Sequence, residues 1–271
     1  MTTRMWSWLM LPGLLLLSGC PDGGGGDGGS ANPVPPVVYV ANSGSTNVSA
    51  YTRNGTGALV SAGTVSVAPN TPSSLAVSPN GTFAFVATNN GIYAFRINDV
   101  TGVLTMVGGS PFLAGTNPNA VTVSPNGQFL YVANGGGTVS AYTINAITGV
   151  LAPIGAAIVA GTSPSGVTVS PNGNFLYVSN QGSNNVSAYT IDIATGALTS
   201  IGSAVGTGTS PSGVTVPPNG NFLYVSNQGS DNVSAYTITV GTGVLLPLLA
   251  GSGNPFSAGD APVGIATPGR P

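Results

Sequence analysis

Residues Ser163 to Ile191 read SPSGVTVSPNGNFLYVSNQGSNNVSAYTI, and Ser210 to Ile238 repeat them with only Ser170 changed to Pro217 and Asn184 to Asp231. A chain carrying such a copy is built from stacked units, because one unit cannot bury its apolar face alone. Weaker copies extend the pattern. The anchor Tyr-Val-x-Asn falls at Tyr39, at Phe85 in the variant FVAT, and at Tyr131, Tyr177 and Tyr224, spaced 46, 46, 46 and 47 residues apart. A second anchor, Pro-x-x-apolar-x-apolar, starts at Pro72, Pro118, Pro164, Pro211 and Pro262, spaced 46, 46, 47 and 51 apart. A period in the mid-forties with several short strands per unit is the signature of propeller blades.

One unit divides into four strands. Val167–Val169 is short and apolar. Ser170-Pro171-Asn172-Gly173 supplies the residues that a tight reversal needs. Asn174–Asn180 is apolar on both faces, as a strand between two neighbouring sheets must be. Val186–Ile191 is β-branched and aromatic, and Ala197–Ala204 completes the unit. Full units run 72–117, 118–163, 164–210 and 211–261. Residues 37–71 hold strands two to four without a first, and Pro262–Thr267 is a first strand without the rest. The expected architecture is an all-β propeller of five four-stranded blades. The C-terminal strand is expected to close the ring by completing the first blade, which removes exposed edges.

The start of the chain reads differently. Arg4 precedes an apolar run from Met5 to Leu17, followed by Leu17-Ser18-Gly19-Cys20. The run is too short to span a bilayer and has the form of a secretory signal. Its end resembles a bacterial lipobox, so residues 1–19 are expected to be removed and Cys20, the only cysteine, to be lipidated. Residues 20–36 form a Gly- and Pro-rich tether, and the propeller occupies 37–271. The expected location is the bacterial cell envelope, with the membrane reached through lipid on Cys20 and the domain a monomer.

Composition restricts the chemistry. The chain has four Arg, six Asp and no His, and contains neither Lys nor Glu. Nucleic-acid binding, which needs basic side chains against phosphates, is excluded. A hydrolytic triad and a thiol mechanism are excluded too, and no metal centre or cofactor is expected. Asp192 aligns with Asn98 and Asn145 at the turn between strands three and four, and Asp99 lies one residue further in its own turn, so both are expected to cap local amides. Arg53 and Arg96, near the ends of third strands, read as solvated edge charges. Asp231 and Asp260 fall in the two loop types that share the ligand-binding face of a propeller, and could offer oxygen atoms to a ligand or cation. Asn42, Thr88, Asn134, Asn180 and Asn227 end the second strands at that face. They read either as a polar rim for a carbohydrate or peptide, or as loop-stabilising residues. The loops after Phe85 and Tyr131 are shorter than that after Tyr177, so asymmetry for binding should arise in blades two and three.

SPNGxFLYVxN, NVSAYTI, the Thr-Gly turns at Thr148-Gly149 and Thr195-Gly196, and Gly109 to Phe112 together resemble the lactonase-type β-propeller family, which contains 6-phosphogluconolactonase, and the YVTN-repeat bacterial surface proteins. The resemblance covers nearly all of Val37–Thr267. It implies a propeller, normally of seven blades, with His, Arg and acidic residues at the channel mouth. None of those catalytic residues has a matching position here. Two functions are expected: a non-enzymatic, lipid-anchored module that binds protein or polysaccharide, or, as the resemblance implies, a lactone hydrolase.

Overall fold

The computed structural model describes residues 37–248 and 253–267, which form five antiparallel sheets and no helix. Blade one contains β1 (Val37–Asn42), β2 (Asn47–Arg53) and β3 (Leu59–Ser66). Blade two contains β4 (Pro72–Val77), β5 (Phe83–Thr88), β6 (Gly91–Ile97) and β7 (Leu104–Met106). Blade three contains β8 (Pro118–Val123), β9 (Phe129–Asn134), β10 (Thr138–Ile144), β11 (Leu151–Pro153) and β12 (Ile158–Val159). Blade four contains β13 (Pro164–Val169), β14 (Phe175–Asn180), β15 (Asn185–Ile191), β16 (Leu198–Ser200) and β17 (Val205–Gly206). Blade five contains β18 (Pro211–Thr215), β19 (Phe222–Asn227), β20 (Asn232–Ile238), β21 (Leu245–Pro247) and β22 (Phe256–Ser257). Strand order within each blade follows the chain.

The first strand begins at its proline, three residues earlier than the sequence pattern indicates, and enters through an irregularity between Pro164 and Gly166 that recurs in blades two, three and five. The fourth strand is broken. In blade four, β16 and β17 both pair with β15, and Gly202 at φ +58° turns the chain out of the ladder between them.

The apolar core lies between blades. Four clusters each span one pair of consecutive blades: one with two, two with three, three with four, and four with five. This explains the unbroken apolar run of the second strands. β5, β9 and β14 are buried at every position because each faces a neighbour on both sides. In β1 every second residue is open, with Val38 39 % and Val40 42 % exposed. In β19, Phe222 and Tyr224 are only half-buried. Among the described residues, the outer faces of blades one and five thus lack a neighbour.

Two devices recur at the blade interfaces. The second-strand tyrosine donates to the glycine carbonyl of the next blade's Thr-Gly turn: Tyr39 to Gly102 at 2.8 Å, Tyr131 to Gly196 at 3.1 Å and Tyr177 to Gly243 at 3.0 Å. In return, the third-strand tyrosine reaches back to the preceding blade's outer strand or its extension, Tyr142 to the Leu113 carbonyl, Tyr189 to Val159 and Tyr236 to Gly206. The second device is a hook. The residue after each first-strand proline donates to the carbonyl of the next blade's proline: Ser73 to Pro118 at 2.7 Å, Asn119 to Pro164 at 2.8 Å and Ser165 to Pro211 at 2.7 Å.

The expected ring closure is not found. Ser212 donates to Pro262 at 2.9 Å, so the C-terminal segment sits where the first strand of a following blade would begin. Ala261 carries the left-handed φ of +48° seen at the equivalent Asn117, Ser163 and Ser210. Yet residues 262–267 form no ladder, and β1 pairs only with β2. The segment is held on blade five by the Ser212 bond rather than paired with β1.

Candidate functional site

The loops joining second to third strands, together with the loops entering each first strand, make up one end of the blades. They are stitched together by backbone hydrogen bonds, such as Gln181 N to the Ser163 carbonyl at 2.9 Å and Gly182 N to the Thr162 carbonyl at 3.0 Å. The asparagines at this end are turned inward. Asn134, Asn180 and Asn227 are fully buried. Each amide donates within its own blade: Asn42 to Asn47 and Ser49, Asn134 to Thr138 and Ser140, Asn180 to Asn185 and Ser187, Asn227 to Asn232 and Ser234, at 2.7 to 3.1 Å. Thr88 does the same job in blade two by donating to the Gly91 carbonyl at 2.8 Å. These side chains close the loops from beneath and present no open rim. The Asn180 carbonyl oxygen also accepts from Gly161 N at 3.1 Å, whereas the corresponding oxygens of Asn134 and Asn227 are buried without a protein partner.

Asp231 sits at φ +52° in the exposed loop of blade five and accepts from Ala261 N at 2.7 Å. Asn184, its counterpart, has the same φ and accepts from Ser210 N at 2.7 Å. The structure therefore brings Asp231 against the segment carrying Asp260, which is itself exposed, as the repeat phase indicates. Among the described residues no three His, Cys, Asp or Glu side chains gather into a metal-binding group. Asp192, fully exposed, accepts from Ala194 N at 2.9 Å and Thr195 N at 3.0 Å, and these bonds hold its carboxyl below the usual range. Asn98 and Asn145 cap their turns in the same way.

Arg96 is exposed and also reaches the next blade. Its guanidinium carbon lies 5.1 Å from the centre of the Phe83 ring, and it donates to the Ile147 carbonyl of blade three. The long stem covers apolar surface while the charge stays in water. Both Arg53 and Arg96 lie at the strand ends away from the loop face.

The loop face contains a cleft that the sequence reading located only by loop length. A cavity of about 370 Å³ opens between Gly135–Gly137 of the shortened blade-three loop, the link Ala160–Ser163 that enters blade four, and Ser183 and Asn185 of blade four. Gly161 has to be glycine here, since an added Cβ would stand 2.4 Å from Ser183 Oγ and 2.7 Å from Asn180 Cγ. The lining offers hydroxyls, one amide and backbone groups, with no titratable side chain. Its size suits a small ligand, and its neutral donors and acceptors suit a polyhydroxylated one.

Blades of this order, packing and period define a β-propeller. The family model described as lactonase, 7-bladed beta-propeller matches residues 30–164 and 158–255, and the chain belongs to that family. Solved structures agree on the fold. A candidate 6-phosphogluconolactonase from Bacteroides fragilis superposes with a TM-score of 0.73 at 22% identity, over 84% of this chain and 69% of its own. One from Bacteroides uniformis gives 0.74 at 22% identity, over 84% and 70%. The periplasmic gluconolactonase of Pseudomonas aeruginosa gives 0.69 at 20% identity, over 79% and 66%. No curated protein matches at the sequence level.

Proposed function

We propose that the chain is a lipid-anchored envelope protein that binds and hydrolyses a sugar lactone at its loop face. The observation that carries this reading is the family match across most of the chain, together with neighbours named for gluconolactone chemistry. Lactone hydrolysis needs water delivered to a ring carbonyl, and a carboxylate can serve as the general base. The candidate bases are Asp231, which accepts from Ala261 N, and Asp260, the residue before Ala261. An unphosphorylated lactone is the better fit to the described residues, whose arginines, Arg53 and Arg96, lie at the other end of the blades. Cys20, outside the described residues, is proposed as the lipid attachment site, which would place the domain on the outer side of a bacterial membrane.

A second reading, a module that binds protein or polysaccharide without turnover, is favoured by one observation: the cleft has no titratable lining, and Asp231 is engaged by a backbone amide. Hydrolysis of glucono-δ-lactone by the purified full chain in detergent separates the two. Turnover above the buffer rate is expected. It should fall roughly a hundredfold in Asp231→Asn/Asp260→Asn, a typical loss for a general base. Asp231→Asn keeps the loop bond, as Asn184 shows. A rate equal to buffer would overturn the hydrolytic reading in favour of binding alone.

A further inference from the structure

We propose that residues 262–267 of one copy add to the free edge of β1 in a second copy, completing blade one in trans and giving a reciprocal dimer.

Among the described residues, two halves of one blade stand unpaired in the same chain. β1 carries the second-strand pattern and hydrogen-bonds on one side only. Residues 262–267, PVGIAT, carry the first-strand pattern and belong to no ladder. The repeat fixes how they should join. Pro72 pairs with Thr88, Leu75 with Val86 and Val77 with Ala84; in blade three Pro118 pairs with Asn134 and Val121 with Val132. Moved to the open ends by repeat phase, this register sets Pro262 opposite Asn42, Ile265 opposite Val40 and Thr267 opposite Val38. It sets Ile265 beside the exposed Val40 and Thr267 beside the exposed Val38.

The edge of β1 is an acceptor by ordinary criteria. It is apolar, and it has neither the proline nor the charged residue that usually blunts an edge strand. The donor is loosely held. The other blades' first strands are stabilised by ladders with their second strands, whereas residues 262–267 have the Ser212 hook and the approach of Ile265 to Gly213. Val263 is 66 % exposed. Release from blade five therefore costs little compared with a new ladder.

Within one copy the two halves do not meet. Among the described residues, 262–267 make no pairing with β1 and stay hooked to blade five through Ser212. A second copy supplies the missing strand, and reciprocal exchange makes a two-fold pair. The dimer would replace the monomer expected from sequence.

The test uses the full chain in detergent with Cys20→Ser, carrying Val40→Cys and Ile265→Cys together. Mild oxidation should give a disulfide-linked dimer at least tenfold more abundant than in either single variant. Light scattering should show the unsubstituted chain as a dimer, and a chain ending at Ala261 as a monomer with unchanged circular dichroism. Three results would overturn the proposal: a disulfide within one copy, thiols that stay free under oxidation, or an unsubstituted chain that is monomeric.

Discussion

Gly196→Ala is expected to lower stability by about 3 kcal/mol, combining a left-handed alanine with overpacking. Gly196 has φ +75°, and a Cβ there would stand 2.4 Å from Cδ1 of the Phe129 ring and 2.7 Å from Cδ1 of Ile154. The turn is shaped so that the ring of one blade lies flat on a glycine of the next. The same contact recurs between Phe83 and Gly149 and between Phe175 and Gly243, where the added Cβ would come within 2.5 and 2.3 Å of the ring. For a domain of this size the loss corresponds to a fall in Tm of roughly 10 °C. Gly57→Ala separates the two causes. Gly57 has φ +86° but nothing within 4 Å of an added Cβ, because no preceding blade covers it. Its alanine variant should lose only the backbone share, roughly 1 kcal/mol. Thermal unfolding of both variants checks this, and equal losses would remove the ring contact from the account.

Stability is expected to fall steeply as pH rises above about 10, the ordinary tyrosine pKa. Burial raises Tyr39 to about 12 and pushes Tyr131 and Tyr177 up as well. Burial also raises Tyr142, Tyr189 and Tyr236, partly offset by their serine neighbours. These six hydroxyls are the interface donors described above, and a phenolate cannot donate. Each holds its proton more tightly folded than unfolded. Its contribution is therefore fully present below the unfolded pKa and is lost as pH rises through the folded one. Because the donors sit at every blade interface, ionisation and unfolding should coincide. Tyrosinate absorbance and circular dichroism followed together between about pH 9 and pH 12 check this. Tyrosinate signal from all six groups near pH 10 with the fold intact would contradict it.

The sequence makes the blades legible because their determinants are local. Turn residues such as Pro171-Asn172-Gly173 and the doubly apolar β14 recur at a fixed period, and the strands lie close to where that period places them. The interface latch is not local. Tyr131 meets Gly196 at a separation of 65 residues, more than one full period, and no pattern within a unit reveals that partner. Ring closure was misread for a related reason. The count of strands comes from sequence, whereas the angle between blades is set by side-chain packing at interfaces such as Phe129 on Gly196. At the site, repeat phase correctly brought Asp231 and Asp260 to one end but gave no measure of burial, so Asn134, Asn180 and Asn227 could not be distinguished from a rim. The cleft lies between the shortened loop after Tyr131 and blade four.

Blade two offers the most direct test of the claim that the repeated residues are interface framework. Phe85 stands where Tyr39, Tyr131 and Tyr177 stand in their blades, fully buried, with Gly149 in the turn opposite. Adding an atom to a buried ring ordinarily costs about 1–3 kcal/mol. If the latch is real, Phe85→Tyr supplies the missing bond to the Gly149 carbonyl and raises stability by about 1 kcal/mol, while Tyr177→Phe lowers it by a similar amount. Urea unfolding of the two variants decides the matter: changes of opposite sign are predicted, and a destabilised Phe85→Tyr beside an unaffected Tyr177→Phe would contradict the account.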